Sequence, residues 1–182
     1  KPNVEVLKVA NDFYYKGFSN SCLSMYDKII CVGDSLTEGA LSSGLGFSDC
    51  TYPQALSRLS GCECINEGNS GATATRWWEA FGQTGLNEHG LYIVWLGTNG
   101  GLTDTVATDC AGNDLTQFAD THTGNLGKIL QTIVNHGDKF IILEIPSQAS
   151  DSDTNKAVKD LATQYDMPNI PLTYILNDYY LH

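Results

Sequence analysis

Five short runs rich in isoleucine and valine, at 28–32, 63–66, 91–96, 139–145 and 170–176, constrain the fold of this sequence more than any other feature. Stretches of helical period separate them at 52–59, 73–81, 118–135 and 153–165. Strands alternating with helices at this spacing make βαβ units. Parallel strands cannot be joined by a hairpin and need a crossover, so all five strands point the same way and their carboxyl ends share one edge. The expected architecture is α/β, a three-layer α/β/α sandwich around a five-stranded parallel sheet. Pro53 suits a helix start and Gly137 a helix stop. With 182 residues, one domain spanning 1–182 is expected, with 1–27 an aromatic-rich lead-in (Phe13, Tyr14, Tyr15, Phe18) packing on its side.

The net charge of −11, with only ten Lys and Arg, argues against nucleic acid and against anionic membrane surfaces, both of which need clustered cations. No apolar run approaches the roughly 18 residues of a membrane span. The chain starts at Lys1 rather than Met, which reads as a processed chain or a piece of a longer protein. Six cysteines show no zinc-ligand spacing. Cys31 lies inside the first strand and reads as a buried apolar residue, and Cys62-x-Cys64 as the start of the second. One or two disulfides among Cys22, Cys50, Cys62 and Cys110 are the expectation if the chain is secreted.

In open parallel sheets, chemistry collects outside the carboxyl ends of the strands, so a group just after a strand can reach the site and one just before it cannot. Ser35 follows the first strand, Gly71 the second and Asn99 the third; Asp178 and His182 follow the fifth. A serine hydroxyl is a weak nucleophile that needs a base, a residue to orient the base, and donors for the oxyanion formed after attack. A serine, a backbone donor in a Gly-rich turn, an amide side chain and an Asp/His pair on one edge meet those needs.

Those residues resemble the SGNH (GDSL-type) hydrolases. Gly33-Asp34-Ser35-Leu36 matches their first block, Gly71 the second, Gly97-x-Asn99 the third, and Asp178 with His182 the last. The match is not to the Gly-x-Ser-x-Gly elbow, because Thr37 stands where its second glycine would be. The resemblance implies a flavodoxin-like fold and a metal-independent, cofactor-free serine esterase. By position it makes Ser35 the nucleophile, with Ser35 N–H, Gly71 N–H and the Asn99 amide as the oxyanion hole. His182 becomes the base and Asp178 its orienter, while Asp34 becomes a hydrogen-bonding support outside the triad. The family usually separates its last Asp and His by three positions; here they are four apart, a spacing that shares a face on a helix. Its third block usually continues into Asp, where this chain has Gly100.

Other readings of the same residues are structural. Ser35 can be a helix N-terminal serine, Gly71 a positive-φ turn glycine, Asn99 a turn-closing amide and Asp178 a helix cap. His89 and His136 precede strands and fall at the wrong edge; His122 follows the third strand through a long polar loop, 100–113, and is the alternative base. Of the adjacent Trp77 and Trp78, only one is expected to be well buried, the other being free to stack on a sugar; Trp95 reads as core. The functional expectation is an esterase of short-chain carboxylic esters, removing O-acetyl groups from a carbohydrate, with a small-molecule or saccharide ester as its partner. The alternative is the same fold used as a binding or adhesion module of a larger surface or phage-tail protein. Either would suit a secreted, cell-surface or virion-associated protein.

Overall fold

The computed structural model describes residues 25–40, 50–82, 84–146 and 148–172. Five parallel strands, β1 (Lys28–Gly33), β2 (Glu63–Gly68), β3 (Leu91–Trp95), β4 (Lys139–Leu143) and β5 (Asn169–Ile170), pair in the order β2-β1-β3-β4-β5. From β1 in the sheet interior the chain steps out to β2, then returns across β1 to β3. Strand order therefore reverses between β1 and β3, and the crevice at that reversal is where such sheets take ligands.

Six helices complete the described chain: α1 (Ser35–Glu38), α2 (Tyr52–Ser60), α3 (Ala74–Phe81), α4 (Val106–Asp109), α5 (His122–Asn135) and α6 (Asp153–Gln164). Side chains alternate across each strand. Ile30, Val32, Tyr92, Val94, Phe140 and Ile142 face one way and share a core with α3, α5 and α6. Ile29, Cys31, Ile93 and Leu143 face the other way, where Tyr52 and Leu56 of α2 pack on them. Helices thus lie on both faces, as expected for a sheet whose strands are apolar on both sides. Burying each such aliphatic side chain is worth about 1.5–3 kcal/mol, so the central strands hold the layers together.

Local chemistry sets the element ends. The helix expected from 118 starts at His122, because the Thr121 hydroxyl oxygen accepts from Gly124 N–H at 3.0 Å and caps it there. A 3₁₀ turn (Leu115–Gln117) occupies the residues before it. β4 stops at Leu143, and buried Asn155 of α6 stands in for a strand partner beyond it, accepting from Ile145 N–H at 2.8 Å and donating to Ile145 O at 3.2 Å. β5 is shorter than expected, since Pro171 has no N–H to offer the ladder. Residues 173–176 of that predicted strand, like the 1–24 part of the lead-in, lie outside the described residues.

The polar loop expected at 100–113 contains α4, and its Leu102, Val106 and Cys110 point into the core while Thr103, Asp104, Thr105 and Thr108 stay exposed. Trp77 is fully buried and donates its indole N–H to Glu67 O at 2.9 Å; Trp78 is partly exposed. Trp95, expected in the core, is only partly buried and meets Tyr52 edge-on at a centroid distance of 5.8 Å. Cys31 is buried as expected. Cys62 and Cys110 are thiols, donating to Tyr26 O at 3.3 Å and Thr123 O at 3.5 Å, so the expected disulfides do not involve them; Cys22 lies outside the described residues. Among the described residues no helix is long and apolar enough to cross a membrane.

Candidate active site

The seat of Ser35 is made of glycines. Gly33 ends β1 and pairs in register with Gly68 at the end of β2. A Cβ on Gly33 would overlap Thr37 Oγ1, and one on Gly68 would overlap the backbone of Thr37 and Glu38. Only glycine at both positions lets the single turn of α1 settle onto the strand ends. Asp34 caps that turn, its Oδ1 accepting from Leu36 N–H at 2.9 Å. Ser35 is the first helical residue and partly exposed, so its N–H has no acceptor within the helix.

Gly71 sits in a turn closed by Ala72 N–H donating to Asn69 O at 3.0 Å. Its φ of 72° is in the left-handed region that favours glycine. Asn69 N–H donates to Gly33 O at 3.0 Å and Ser70 N–H to Glu38 Oε2 at 2.6 Å, which ties the turn to β1 and α1. Gly71 N–H has no partner among the described residues.

Asn99 joins the two. Its Nδ2 donates to Asp34 Oδ2 at 3.3 Å and to Ala72 O at 3.2 Å, touching the residue before Ser35 and the residue after Gly71. Both neighbours are acceptors, so the amide nitrogen, not its oxygen, faces them. Both contacts are long, and the nitrogen can turn part of its donation to a third acceptor at little cost. Asp34 is fully buried; burial pushes its carboxyl above the usual aspartate range, against the opposing pull of hydrogen bonds from Leu36 N–H and Thr98.

His122 lies beside this cluster. Asn125 accepts from Lys128 Nζ at 2.9 Å and donates to Asp120 Oδ1 and Thr75 Oγ1, both at 3.0 Å, an orientation fixed because lysine only donates and carboxylate only accepts. Thr75 Oγ1, which accepts from Asn125, also lies 2.6 Å from His122 Nδ1; with two lone pairs and one proton the hydroxyl can donate to that nitrogen or accept from it. Nδ1 is thus engaged with Thr75, and Nε2 is the ring nitrogen on the Gly100 side. That Nε2 would be 2.6 Å from a Cβ on Gly100, so the ring fills the place where the family usually has an Asp side chain. His89 and His136 stand together at the amino edge of the sheet, 6.2 Å between centroids, with His89 Nδ1 at 3.0 Å from Asp138.

The structure thus brings Ser35, Gly71 and Asn99 to the β1/β3 crevice; Asp178 and His182 lie outside the described residues. The sequence reading missed Gly68 and Glu38. A glycine in register with Gly33 was the available signal for the first; nothing in the spacing marks the second. Among the described residues, no group of His, Cys, Asp or Glu is placed to hold a metal ion.

Comparison with known proteins agrees with the fold. The GDSL-like Lipase/Acylhydrolase family model matches residues 31–181. The lipase/acylhydrolase from Enterococcus faecalis superposes with a TM-score of 0.55 at 18% identity, covering 84% of this chain and 79% of that one. AlinE4, an SGNH-hydrolase family esterase, gives 0.52 at 23% identity over 79% and 75%. An Axe2 variant, an acetyl-xylooligosaccharide esterase from Geobacillus Stearmophilus, gives 0.54 at 13% identity over 83% and 80%. At these identities the likeness is one of fold. No curated protein matches the chain.

Proposed function

The chain belongs to the GDSL-like lipase/acylhydrolase family of carboxylic ester hydrolases, and on that premise we propose that it hydrolyses short-chain carboxylic esters through an acyl-enzyme on Ser35. Ser35 Oγ attacks the ester carbonyl while His182 takes its proton, with Asp178 holding the imidazole tautomer. The tetrahedral oxyanion is met by Ser35 N–H, Gly71 N–H and Asn99 Nδ2. His182 returns the proton to the leaving alcohol, and water then releases the acid. The observation that carries this reading is Asn99 Nδ2 bonded both to Asp34, next to Ser35, and to Ala72, next to Gly71. A single amide thereby links the carboxylate of the residue before Ser35 to the backbone carbonyl of the residue after Gly71.

The proposed substrate is an O-acetylated carbohydrate. Two features support it: the 100–113 segment turns its apolar side chains inward and presents threonines and Asp104 to solvent, and one structural neighbour is an acetyl-xylooligosaccharide esterase. A hydrophilic rim of this kind favours a hydroxyl-rich alcohol over a lipid.

The test uses the purified chain with p-nitrophenyl acetate, p-nitrophenyl octanoate and acetylated xylan, beside its Ser35→Ala variant. Acetate release lost in S35A, with acetate preferred to octanoate, is the expected result. A fluorophosphonate probe should label Ser35 stoichiometrically. No labelling and no turnover would overturn the esterase reading in favour of a binding module.

A further inference from the structure

Gly71 N–H can serve an oxyanion only if its peptide faces the crevice, and that orientation depends on the form of the turn. The turn Asn69-Ser70-Gly71-Ala72 has its closing hydrogen bond, a positive φ at Gly71 and no positive φ at Ser70, which together make it type II. Types I and II differ by a flip of the central peptide, here the Ser70–Gly71 bond, through roughly 150–170°. In the type I form Gly71 N–H would point nearly the opposite way. Glycine permits the type II form but does not enforce it, because glycine is at ease in both.

Glu38 fixes where the turn sits relative to Ser35. It is the last residue of α1, the turn that begins with Ser35. One of its carboxylate oxygens, Oε2, accepts both from Ser70 N–H, at 2.6 Å, and from the Ser70 hydroxyl. Two donors of one residue on one charged acceptor hold Ser70 in position and orientation, and charge-assisted bonds of this kind are about twice as strong as neutral ones. Asn69 is separately tied to Gly33 O. The turn is therefore docked at two successive residues, Asn69 on β1 and Ser70 on the same short helix that carries Ser35.

We propose that Glu38 is a positioning residue: through Ser70 it keeps the turn docked on α1 and so keeps Gly71 N–H in register with Ser35 at the oxyanion site. This rests on the reading of Gly71 as an oxyanion donor. Glu38 touches neither substrate nor Ser35 Oγ in this role. Its effect should fall on the transition state, where the oxyanion exists, and not on ground-state binding.

The experiment compares the wild type with Glu38→Ala, Glu38→Gln, Ser70→Ala and Ser35→Ala, using p-nitrophenyl acetate and the affinity for phenylboronic acid, which forms a tetrahedral adduct with an active serine. E38A should lower kcat on the order of 10- to 100-fold, part of the 100- to 1,000-fold that a whole oxyanion donor supplies. KM should stay within about twofold, with boronate affinity falling alongside kcat. E38Q, whose amide oxygen can accept the same two bonds, should recover most of the loss. S70A, which keeps the N–H arm, should lose only severalfold in kcat. An unchanged kcat in folded E38A, or E38Q as impaired as E38A, overturns the proposal. Should E38A fail to fold, E38Q and S70A decide: near-normal KM with a graded fall in kcat supports the role, and wild-type kcat in S70A removes it. A wild type without S35A-sensitive hydrolysis overturns the esterase reading and this proposal together. Wild-type turnover with no effect at Glu38 overturns this proposal alone.

Discussion

Asp34 Oδ2 accepts from Asn99 Nδ2 at 3.3 Å, joining the end of β1 to the end of β3 across 65 positions of the chain. The carboxylate is fully buried and no cation pairs with it among the described residues, so its hydrogen bonds are what hold it. Replacing it with Asn keeps the shape but puts a donor where Asn99 already presents one. Asp34→Asn should therefore lower kcat at least 10-fold, on the order of one compromised oxyanion donor, while stability at neutral pH is kept or raised because a buried charge has gone. Steady-state kinetics with parallel thermal melts would check both halves.

The raised carboxyl of Asp34 also sets a sign for pH. A carboxyl with a higher pKa in the folded than in the unfolded chain binds its proton more tightly when folded. Its contribution to stability is fully present below the ordinary aspartate value of 3.8 and is lost as pH rises through the folded value. Relative to D34N, which does not titrate, the wild type should gain stability on acidification through that window. Urea unfolding of both proteins at a series of pH values measures the difference, and a wild type that loses ground to D34N on acidification would contradict it.

Asn99→Ala should lower kcat by about 100- to 1,000-fold, the usual effect of removing an oxyanion donor, with little change in KM. Retained kcat would mean that the amide serves only to tie Asp34 to Ala72.

His122→Ala should leave ester hydrolysis within about fivefold of wild type. Loss of a general base typically lowers the rate by 10²–10⁴, and His122 Nδ1 is already engaged with Thr75 at 2.6 Å. A fall of that size, with loss of the basic limb of the pH profile, would reinstate His122 as the base.

Gly68→Ala should destabilise the protein by about 1–3 kcal/mol, the usual penalty of overpacking, because the new methyl meets backbone of α1 rather than a movable side chain. Since α1 carries Ser35, kcat should fall with it. Denaturant melts and kinetics on the same preparation would show whether the two losses travel together.

Cys31 and Cys110 should resist iodoacetamide at pH 8 until the chain is unfolded. Burial is the first cause that pushes each thiol up to about 12, leaving little thiolate to react. Peptide mapping after alkylation in native and denaturing buffer reads this directly.

Several features were already written in the order of the chain. Alternating Ile/Val runs and helical stretches set a parallel sheet, since crossovers leave no other arrangement, and that sheet puts Ser35, Gly71 and Asn99 on one edge because each follows a strand. Spacing along the chain carries this information because strand direction is a local property. What lies between elements was not legible. Asn155 ending β4, Gly68 seating α1, Glu38 holding Ser70 and Thr75 meeting His122 Nδ1 are contacts between residues 10 to 47 positions apart. They depend on where helices settle on the sheet, which packing decides and periodicity does not record. Gly33 to Thr37 marks the candidate nucleophile in the sequence; the contact that docks the Gly71 turn on the same helix, Glu38 to Ser70, exists only in the folded chain, because packing brings together residues 32 positions apart.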